Sequence, residues 1–303
     1  PNVVFEHEQP AIHYIHKRTA GNDYYFFRSS SSHSRRVKFS LPHGYRIPYI
    51  LNPYTGEADE APVYEAVGNH LLIELDFDPY GSYLLELKDL PSARRHHLLK
   101  APQLKTIREE NRLVAYASGQ GEYSFILSHG ETKRIIPAGP FPEPLKINRW
   151  QFDTVYRDVY GHVQEIALKM NELKDWRQIP ALEHCSSRGR YEAELIMDES
   201  YFAADLNLLL SLGQVGDVAI VKCNGRELEP LLTPPYEADI TPYLRIGENT
   251  LEIEVIPTLN NQLIGYGRQG GVAYRNHRHK KSLMPSGLIG PVMIIPRAKL
   301  YIT

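Results

Sequence analysis

Cysteine, methionine and tryptophan are scarce in this sequence. The low cysteine count argues against a disulfide-rich protein and against a zinc-binding module. The 303 residues include 2 cysteines, 4 methionines and 2 tryptophans. Cys185 and Cys223 could pair with each other, but two cysteines make no disulfide framework and neither has zinc-type spacing. We therefore predict neither a disulfide nor a zinc site, and the cysteine content leaves the cellular compartment open.

Strong net charge and long apolar runs are also absent. The formal net charge is −2 at pH 7, so nothing favours nucleic acid or an anionic membrane as a partner. No apolar run approaches the roughly 20 residues that a membrane-spanning helix needs. The sequence starts at Pro1 without a charged and then apolar signal pattern. We expect no nucleic-acid or membrane partner, and we expect the numbering to begin inside a longer polypeptide or after processing.

The short motifs of common enzymes are missing or incomplete. There is no H-E-x-x-H, no paired C-x-x-C, no P-loop and no G-x-S-x-G nucleophile elbow. Gly265–Gly270 matches G-x-G-x-x-G, but no helix pattern follows it to hold a pyrophosphate, so we predict a loop. His277 and His279 lack a third ligand and stand among basic residues that repel a cation. No metal and no cofactor is predicted.

The abundant residues are those of strands and turns. The sequence has 20 tyrosines and 22 prolines, which favour pleated strands and the turns between them. Leu71, Ile73, Leu75 and Phe77 alternate with polar residues, which predicts a strand with one buried face. Turn signals arrive at intervals of roughly ten residues, a spacing typical of antiparallel sandwiches. We predict an all-β fold.

A proline-rich break divides the chain. The stretch PAGPFPEP at 137–144 carries four prolines and predicts a stiff connection between two domains, 1–146 and 147–303. In the second domain, 163–176 has the only credible helical spacing, through Ile166, Leu168, Met170 and Leu173. We predict a helix there.

The stretch 215–255 has the clearest strand and turn signals of the second domain. Val218–Cys223 is apolar on both faces and predicts a buried strand. Asn224-Gly225 tolerates the positive φ angles of a two-residue hairpin turn. Thr241-Pro242 can begin one short helical turn, and Leu251, Ile253 and Val255 alternate with glutamates in a strand that has one solvated face.

Several segments together resemble the C-terminal region of the family 106 α-L-rhamnosidases. The resemblance covers most of the chain and is carried by Gly189–Leu195, Val215–Val255, Asn260–Gly265, Ser286–Val292, Asp23–Phe27, Asn52–Glu57 and Pro79–Ser82. The family often has arginine where this chain has Gln262, and an irregular crossing that ends near a "DW" pair, here Asp175-Trp176. The resemblance implies an immunoglobulin-like β-sandwich for 1–146. For 147–303 it implies a galactose-binding-like jelly roll.

The resemblance also implies a function. The family's catalytic barrel precedes this region and is not among these residues, so the chain is expected to be a non-catalytic accessory part of a glycoside hydrolase. The implied reaction is hydrolysis of a terminal α-L-rhamnosyl bond with inversion, carried out by carboxylates of the barrel. The expected partners are the catalytic domain of the same polypeptide and a rhamnose-containing glycan.

Carbohydrate contact is the remaining candidate chemistry. Sugars are held by aromatic faces and by amide, carboxylate and guanidinium groups. The predicted loop 260–281 has this inventory, and Tyr236 is expected near it. The candidate sugar-binding or cleft-rim residues are Tyr236, Asn260, Asn261, Tyr266, Arg268 and Tyr274. The same loop could instead pack against the catalytic domain or cover one end of the sandwich.

Two other classes of function stay open. The chain could be a free-standing carbohydrate-binding or adhesion module, in which case it binds glycans by itself. It could also be an enzyme, which for a glycosidase needs a pair of carboxylates. Glu252 and Glu254 are such a pair by spacing, but every strand with alternating acids has that spacing, and we interpret them as a solvated strand face.

Overall fold

The computed structural model describes residues 2–19, 21–44, 46–89, 96–109, 111–269 and 282–303. Strands dominate these ranges and form several antiparallel sheets, so the all-β prediction is confirmed. The chain has two compact units: Pro1–Pro140 with Arg297–Thr303, and Phe141–Pro296. In the described ranges, no helix combines the length and the apolar character needed to cross a membrane.

The first unit is built from fourteen N-terminal strands and the end of the last strand. They are β1 (Val4–Phe5), β2 (Ile12–Thr19), β3 (Asn22–Ser29), β4 (Arg35–Leu41), β5 (Arg46–Leu51), β6 (Ala58–Glu60), β7 (Tyr64–Val67), β8 (His70–Phe77), β9 (Ser82–Asp89), β10 (Leu98–Lys100), β11 (Lys105–Glu109), β12 (Arg112–Ala117), β13 (Tyr123–Leu127) and β14 (Thr132–Ile135). One sheet has the order β1-β4-β8-β7, a second β2-β3-β9-β5-β6 and a third β10-β13-β14.

Alternation places the core of the first unit. Along β8 every second residue is buried, from Leu71 to Phe77, as the sequence predicts. Phe39 of β4 lies opposite Ile73, and both side chains are buried. Each such apolar side chain contributes about 1.5–3 kcal/mol when it leaves water. Buried residues of β3 and β9, among them Phe27 and Leu85, belong to the same core.

The second unit contains one larger sheet. Its elements are β15 (Leu145–Lys146), β16 (Trp150–Arg157), β17 (Val163–Met170), β18 (Gly189–Met197), β19 (Leu206–Ser211), β20 (Gln214–Gly216), β21 (Val218–Cys223), β22 (Arg226–Glu227), β23 (Glu237–Asp239), β24 (Gly247–Ile256), helix α1 (Asn260–Arg268), β25 (Gly287–Gly290) and β26 (Met293–Tyr301). The larger sheet has the order β17-β16-β18-β24-β21-β22. β19 pairs with β23, and β20 pairs with β25.

An aromatic group forms the centre of the second unit's core. Trp176 and Tyr191 are fully buried, and the Trp176 indole N–H donates to the Tyr191 hydroxyl at 2.7 Å. The Tyr191 oxygen also accepts the Leu288 N–H at 3.1 Å. A Cβ at Gly189 or Gly287 would collide with the Trp176 ring. Glycine at both positions therefore makes room for the indole.

The turn elements of 215–255 are confirmed. β21 is followed by Asn224 and Gly225 with φ angles of 52° and 76°, and the chain returns as β22. Thr241–Tyr243 forms a single 3-10 turn with proline in its first positions. Asparagine and glycine are the residues that take the left-handed conformation at least cost, which is why this hairpin could be read locally.

Two element predictions in the second unit are wrong. The predicted helix over 163–176 is instead strand β17 over Val163–Met170, with a 3-10 turn at Trp176–Gln178. Ile166, Leu168 and Met170 stand two residues apart, and on this strand they are the less exposed positions. The predicted loop 260–281 begins with the nine-residue helix α1, and its part from 270 to 281 lies outside the described residues.

Both cysteines are buried, free thiols. Cys185 is among the core residues near Trp176, and Cys223 ends β21. Burial raises the pKa of both thiols, that of Cys223 to about 11. A thiol with a raised pKa in a buried position is a weak nucleophile, so neither is a candidate for catalysis.

Candidate functional site

Helix α1 lies against two other segments of the second unit. The Gln262 side-chain amide donates to the Arg157 carbonyl at 3.0 Å, and the Gln269 amide donates to the Tyr160 hydroxyl at 3.1 Å. The His184 Nδ1 is 3.1 Å from the Asn261 carbonyl oxygen. We use the name α1 end for helix α1 together with residues 157–162 and 183–184.

The sequence of α1 explains how closely it packs. Asn261 is buried, its amide donates to the Met284 carbonyl at 2.8 Å, and its side-chain oxygen accepts the Met284 N–H at 2.9 Å. A Cβ at Gly265 would lie 2.6 Å from Val159 and 2.8 Å from the His184 ring. Glycine at 265 and the paired amide bonds of Asn261 therefore allow the helix to lie directly on its neighbours.

The β16–β17 turn is held by one carboxylate. Asp158 accepts the backbone N–H groups of Tyr160 and His162, both at 2.9 Å, and the Gln164 amide at 2.9 Å. Desolvation acts to raise the pKa of Asp158, but the hydrogen bonds from His162, Gln164 and Tyr160 outweigh it and lower the pKa. The turn therefore presents Tyr160 from a fixed backbone.

The exposed groups of the α1 end are those that sugars use. The Tyr160 side chain is 67% exposed. Arg268 is exposed and its guanidinium lies 3.6 Å from the Glu183 carboxylate. An aromatic face with amides, a guanidinium and a carboxylate can bind hydroxyl groups and cover an apolar C–H patch.

The predicted site residues are placed differently from one another. Asn260, Asn261, Tyr266 and Arg268 all stand on α1, with Asn261 buried and the Tyr266 hydroxyl 3.3 Å from the Gln262 amide. Tyr236 is buried in the core of the second unit. Tyr274 lies outside the described residues.

Three groups of the α1 end were missed from the sequence. Tyr160, Glu183 and Gln269 join it only through tertiary contacts with partners that are distant in sequence, such as Gln269 with Tyr160. The turn at 158–161 can be recognised locally from its Asp and Gly, but no local pattern tells which helix it meets.

A metal site is not formed at the α1 end by the described residues. In the described part of the chain, a single group of three side chains has suitably close ligand atoms, His16, Asp23 and His43 of the first unit. Arg18 and Arg46 donate to the same Asp23 carboxylate at 3.0 and 2.9 Å. A cation there would have to displace two guanidinium groups, so this group is a poor metal site.

The acidic pair of β24 is engaged in ion pairs. Glu254 lies 3.1 Å from Arg188, and Glu252 lies 3.1 Å from Arg190. A glycosidase needs one carboxyl that can donate a proton to the leaving group. Glu252 and Glu254 are instead partly exposed on the sheet face beside these arginines, in agreement with the interpretation of a solvated strand face.

Comparisons with other proteins point to one group of enzymes. The chain is 25% identical to a Formosa agariphila protein named "Putative beta-glucuronidase" over 61% of this chain and 20% of that protein. Its fold matches the rhamnosidase from Novosphingobium sp. PP1Y with a TM-score of 0.64 and 23% identity, over 98% of this chain and 25% of that chain. These matches relate the chain to glycoside hydrolases. No protein-family model matches it.

The chain matches only a part of each of these two proteins. The chain spans about a fifth of the curated relative and a quarter of the solved rhamnosidase. The similarity to the rhamnosidase describes the fold of this chain over nearly its whole length. The substrates of those proteins are properties of those proteins and are not assigned to this chain.

Proposed function

We propose that this chain is a non-catalytic accessory region of a glycoside hydrolase of the α-L-rhamnosidase type. The observation that carries the proposal is the fold match over 98% of this chain to one quarter of a rhamnosidase. The second unit then corresponds to a galactose-binding-like jelly roll and the first to an immunoglobulin-like sandwich. The partner is the catalytic domain of the same polypeptide, which acts on a rhamnose-containing glycan.

The absence of a suitable acid pair on β24 supports the non-catalytic part of the proposal. Glu252 and Glu254 are paired with arginines, as described above. A retaining or inverting glycosidase needs one carboxyl that stays protonated until it donates to the leaving group. Glu252 and Glu254 are instead partly exposed, and each lies beside an arginine.

A turnover assay tests the proposal. The chain is incubated with 4-nitrophenyl α-L-rhamnoside and with 4-nitrophenyl β-D-glucuronide, beside the variant Glu252→Gln/Glu254→Gln. We expect no release of nitrophenol above buffer from either protein. Turnover by the parent chain that the double variant loses would make this chain an enzyme and would end the proposal.

The exposed groups of the α1 end favour a second candidate, a carbohydrate-binding module. It predicts saturable binding of glycans by the chain alone, weakened by Tyr266→Ala or Arg268→Ala. Tyr54→Ala, at an exposed tyrosine on a turn of the first unit, is the matched control. Glycan affinity that both α1 variants leave unchanged would remove the α1 end from this role.

A further inference from the structure

In the larger sheet of the second unit, β18 runs past the start of its neighbour β16. β16 and β18 are paired only from Gln151 opposite Glu192 to Asp153 opposite Arg190. β18 is nevertheless paired with β24 along its whole length, and β16 stays paired with β17 from its first residue. In the described part of the chain, the side of 193–197 that faces β16 therefore has no strand partner.

The backbone changes direction just before β16. Arg149 has a φ angle of 65°, in the left-handed region that non-glycine residues rarely occupy. The chain thus turns sharply as it enters β16 at Trp150. Strained backbone of this kind persists where the surrounding structure holds it, and it often accompanies binding sites.

A groove of about 780 Å³ lies along this part of β18. We call it the β16–β18 groove; its lining residues are 149–151, 169–171, 192–196, 245 and 248–250. Ligand sites have volumes of roughly 300–1,000 Å³. The groove falls within this range and lies wholly within the second unit.

Charges in the groove differ from those on the rest of the same sheet face. Beyond the groove the face carries ion pairs, such as Arg188 with Glu254 at 3.1 Å and Lys222 with Glu227 at 3.5 Å. In the groove Arg149, Lys169 and Glu194 are exposed, and none of them forms an ion pair with any described residue. The groove therefore offers donors and acceptors that the fold itself does not use.

We propose that the β16–β18 groove is a binding site for a neutral oligosaccharide. Three basic and three acidic side chains line it, so a ligand of either charge would meet repulsion as well as attraction. A polyhydroxylated neutral ligand can accept from the basic groups and donate to the carboxylates. The amides of Gln151 and Asn171 add further partners.

The apolar part of the groove fits the same ligand class. Ile196 is 75% exposed and lies on its wall with Met170. These side chains can cover the C–H faces of a sugar. Trp150 is buried with 1% exposure, so no aromatic ring is presented for stacking, and hydrogen bonds supply most of the affinity.

The site is separate from the α1 end and shares no residue with it. The choice of a sugar as the ligand class rests on the similarity of the chain to glycoside hydrolases. The groove, its open strand edge and its unpaired charges are independent of whether the chain is an accessory region.

Titration calorimetry of the whole chain tests the inference. The probes are the hexasaccharides of cellulose, xylan and mannan, with tetragalacturonate as the anionic comparison. We expect one neutral hexasaccharide to bind, with Glu194→Ala and Lys169→Ala each raising its Kd about tenfold, the effect of losing one hydrogen bond to a charged group. Glu165→Ala, on the same face of β17 but outside the groove, should leave the Kd unchanged.

Each contrary result has a distinct meaning. An equal Kd for the parent chain and both groove variants, or no binding of any neutral hexasaccharide, overturns the inference. Stronger binding of tetragalacturonate overturns the neutral class. Loss of binding in Tyr266→Ala alone moves the sugar to the α1 end, and rhamnoside turnover bears on the accessory proposal without touching the groove. Circular dichroism confirms that each variant is folded.

Discussion

The two units stabilise their interiors by different means. In the first unit, the fully buried Asp23 carboxylate lies 2.6 Å from His16, 2.9 Å from Arg46 and 3.0 Å from Arg18. In the second unit, the centre is the neutral Trp176–Tyr191 pair with glycine on either side. The first arrangement depends on ionisation and the second on shape. Their responses to mutation and to pH should therefore differ.

Removing the charge of Asp23 should give the largest effect. Asp23→Asn removes the charge of the carboxylate to which Arg18 and Arg46 donate, and each hydrogen bond to a charged group is worth about 1.5–3 kcal/mol, so we expect a loss of about 3 kcal/mol. Urea unfolding measures the loss, and hydrogen exchange should locate it in β2, β3 and β5. Asp59→Asn, at an exposed position of β6, is the control. A loss below about 1 kcal/mol would show that the buried charges are not the support of the first unit.

The second largest loss of stability is expected when a side chain fills the space beside Trp176 at Gly189. A Cβ at Gly189 would lie 2.8 Å from Phe152 and closer still to Trp176. We expect Gly189→Ala to lower the free energy of unfolding by about 1–3 kcal/mol, the usual cost of overpacking. The matched change is Gly121→Ala, where a Cβ meets nothing within 4 Å. Equal stability of the two variants would contradict the shape-dependent core.

The hydroxyl of Tyr191 offers a finer test of the same core. Tyr191→Phe removes the acceptor of both the Trp176 indole N–H and the Leu288 N–H. Leaving a buried donor without a partner costs about 1–3 kcal/mol, and relaxation of the indole should keep the measured loss near the lower end. Tyr54→Phe at an exposed turn controls for the change of residue type. Tryptophan fluorescence during unfolding, which comes from Trp150 and Trp176 of the same core, reports the result.

Acidification should destabilise the first unit more than the second, without any mutation. Burial lowers the pKa of His43. Burial acts to raise the pKa of Asp23, but the hydrogen bonds from Arg18 and His16 outweigh this effect and lower that pKa. Both folded-state pKa values lie below the unfolded ones, about 6.5 and 3.9, so the unfolded chain binds more protons and stability falls on acidification. His43 acts first, below about pH 6.5, and Asp23 follows below about pH 4.

Hydrogen exchange at several pH values measures this difference. Protection in β3 and β5 should decline between pH 7 and pH 5, while protection around Trp176 should hold. The titratable and charged groups that face His43 are Tyr25, whose hydroxyl lies 3.1 Å from the His43 Nε2, and His16, Asp23, Arg18 and Arg46. Parallel decline in both units would mean that the buried ionic group does not set the pH dependence.

The smallest effect is expected at the surface of the α1 end. Arg268 is exposed, and its ion pair with Glu183 spans 3.6 Å. Exposed pairs contribute about 0–1 kcal/mol, so Arg268→Ala should leave stability within about 0.5 kcal/mol of the parent chain. Thermal unfolding checks this, and a larger loss would mean that the residue holds α1 in place.

The sequence predicts those features that have a local cause. Apolar and polar residues alternate from Leu71 to Phe77, and Asn224-Gly225 strongly favours a two-residue turn. Strand β8 and the β21–β22 hairpin were therefore predicted correctly. Helix α1 was missed because its residues are polar and glycine-rich, and its support comes from Met284 and His184, which are distant in the chain. The β16–β18 groove arises where β18 runs past the start of β16, and the pairing of two strands cannot be predicted from either strand alone.

The last strand has a consequence for the order in which the chain can fold. Residues 298–301 of β26 pair with β12, and the Leu113 N–H donates to the hydroxyl of Thr303, 190 residues further along the chain. During synthesis, β12 leaves the ribosome long before this partner exists. One edge of the first unit must therefore wait, exposed, while the whole second unit is translated. A chaperone, or a charged edge that resists mispairing, is most needed during that interval.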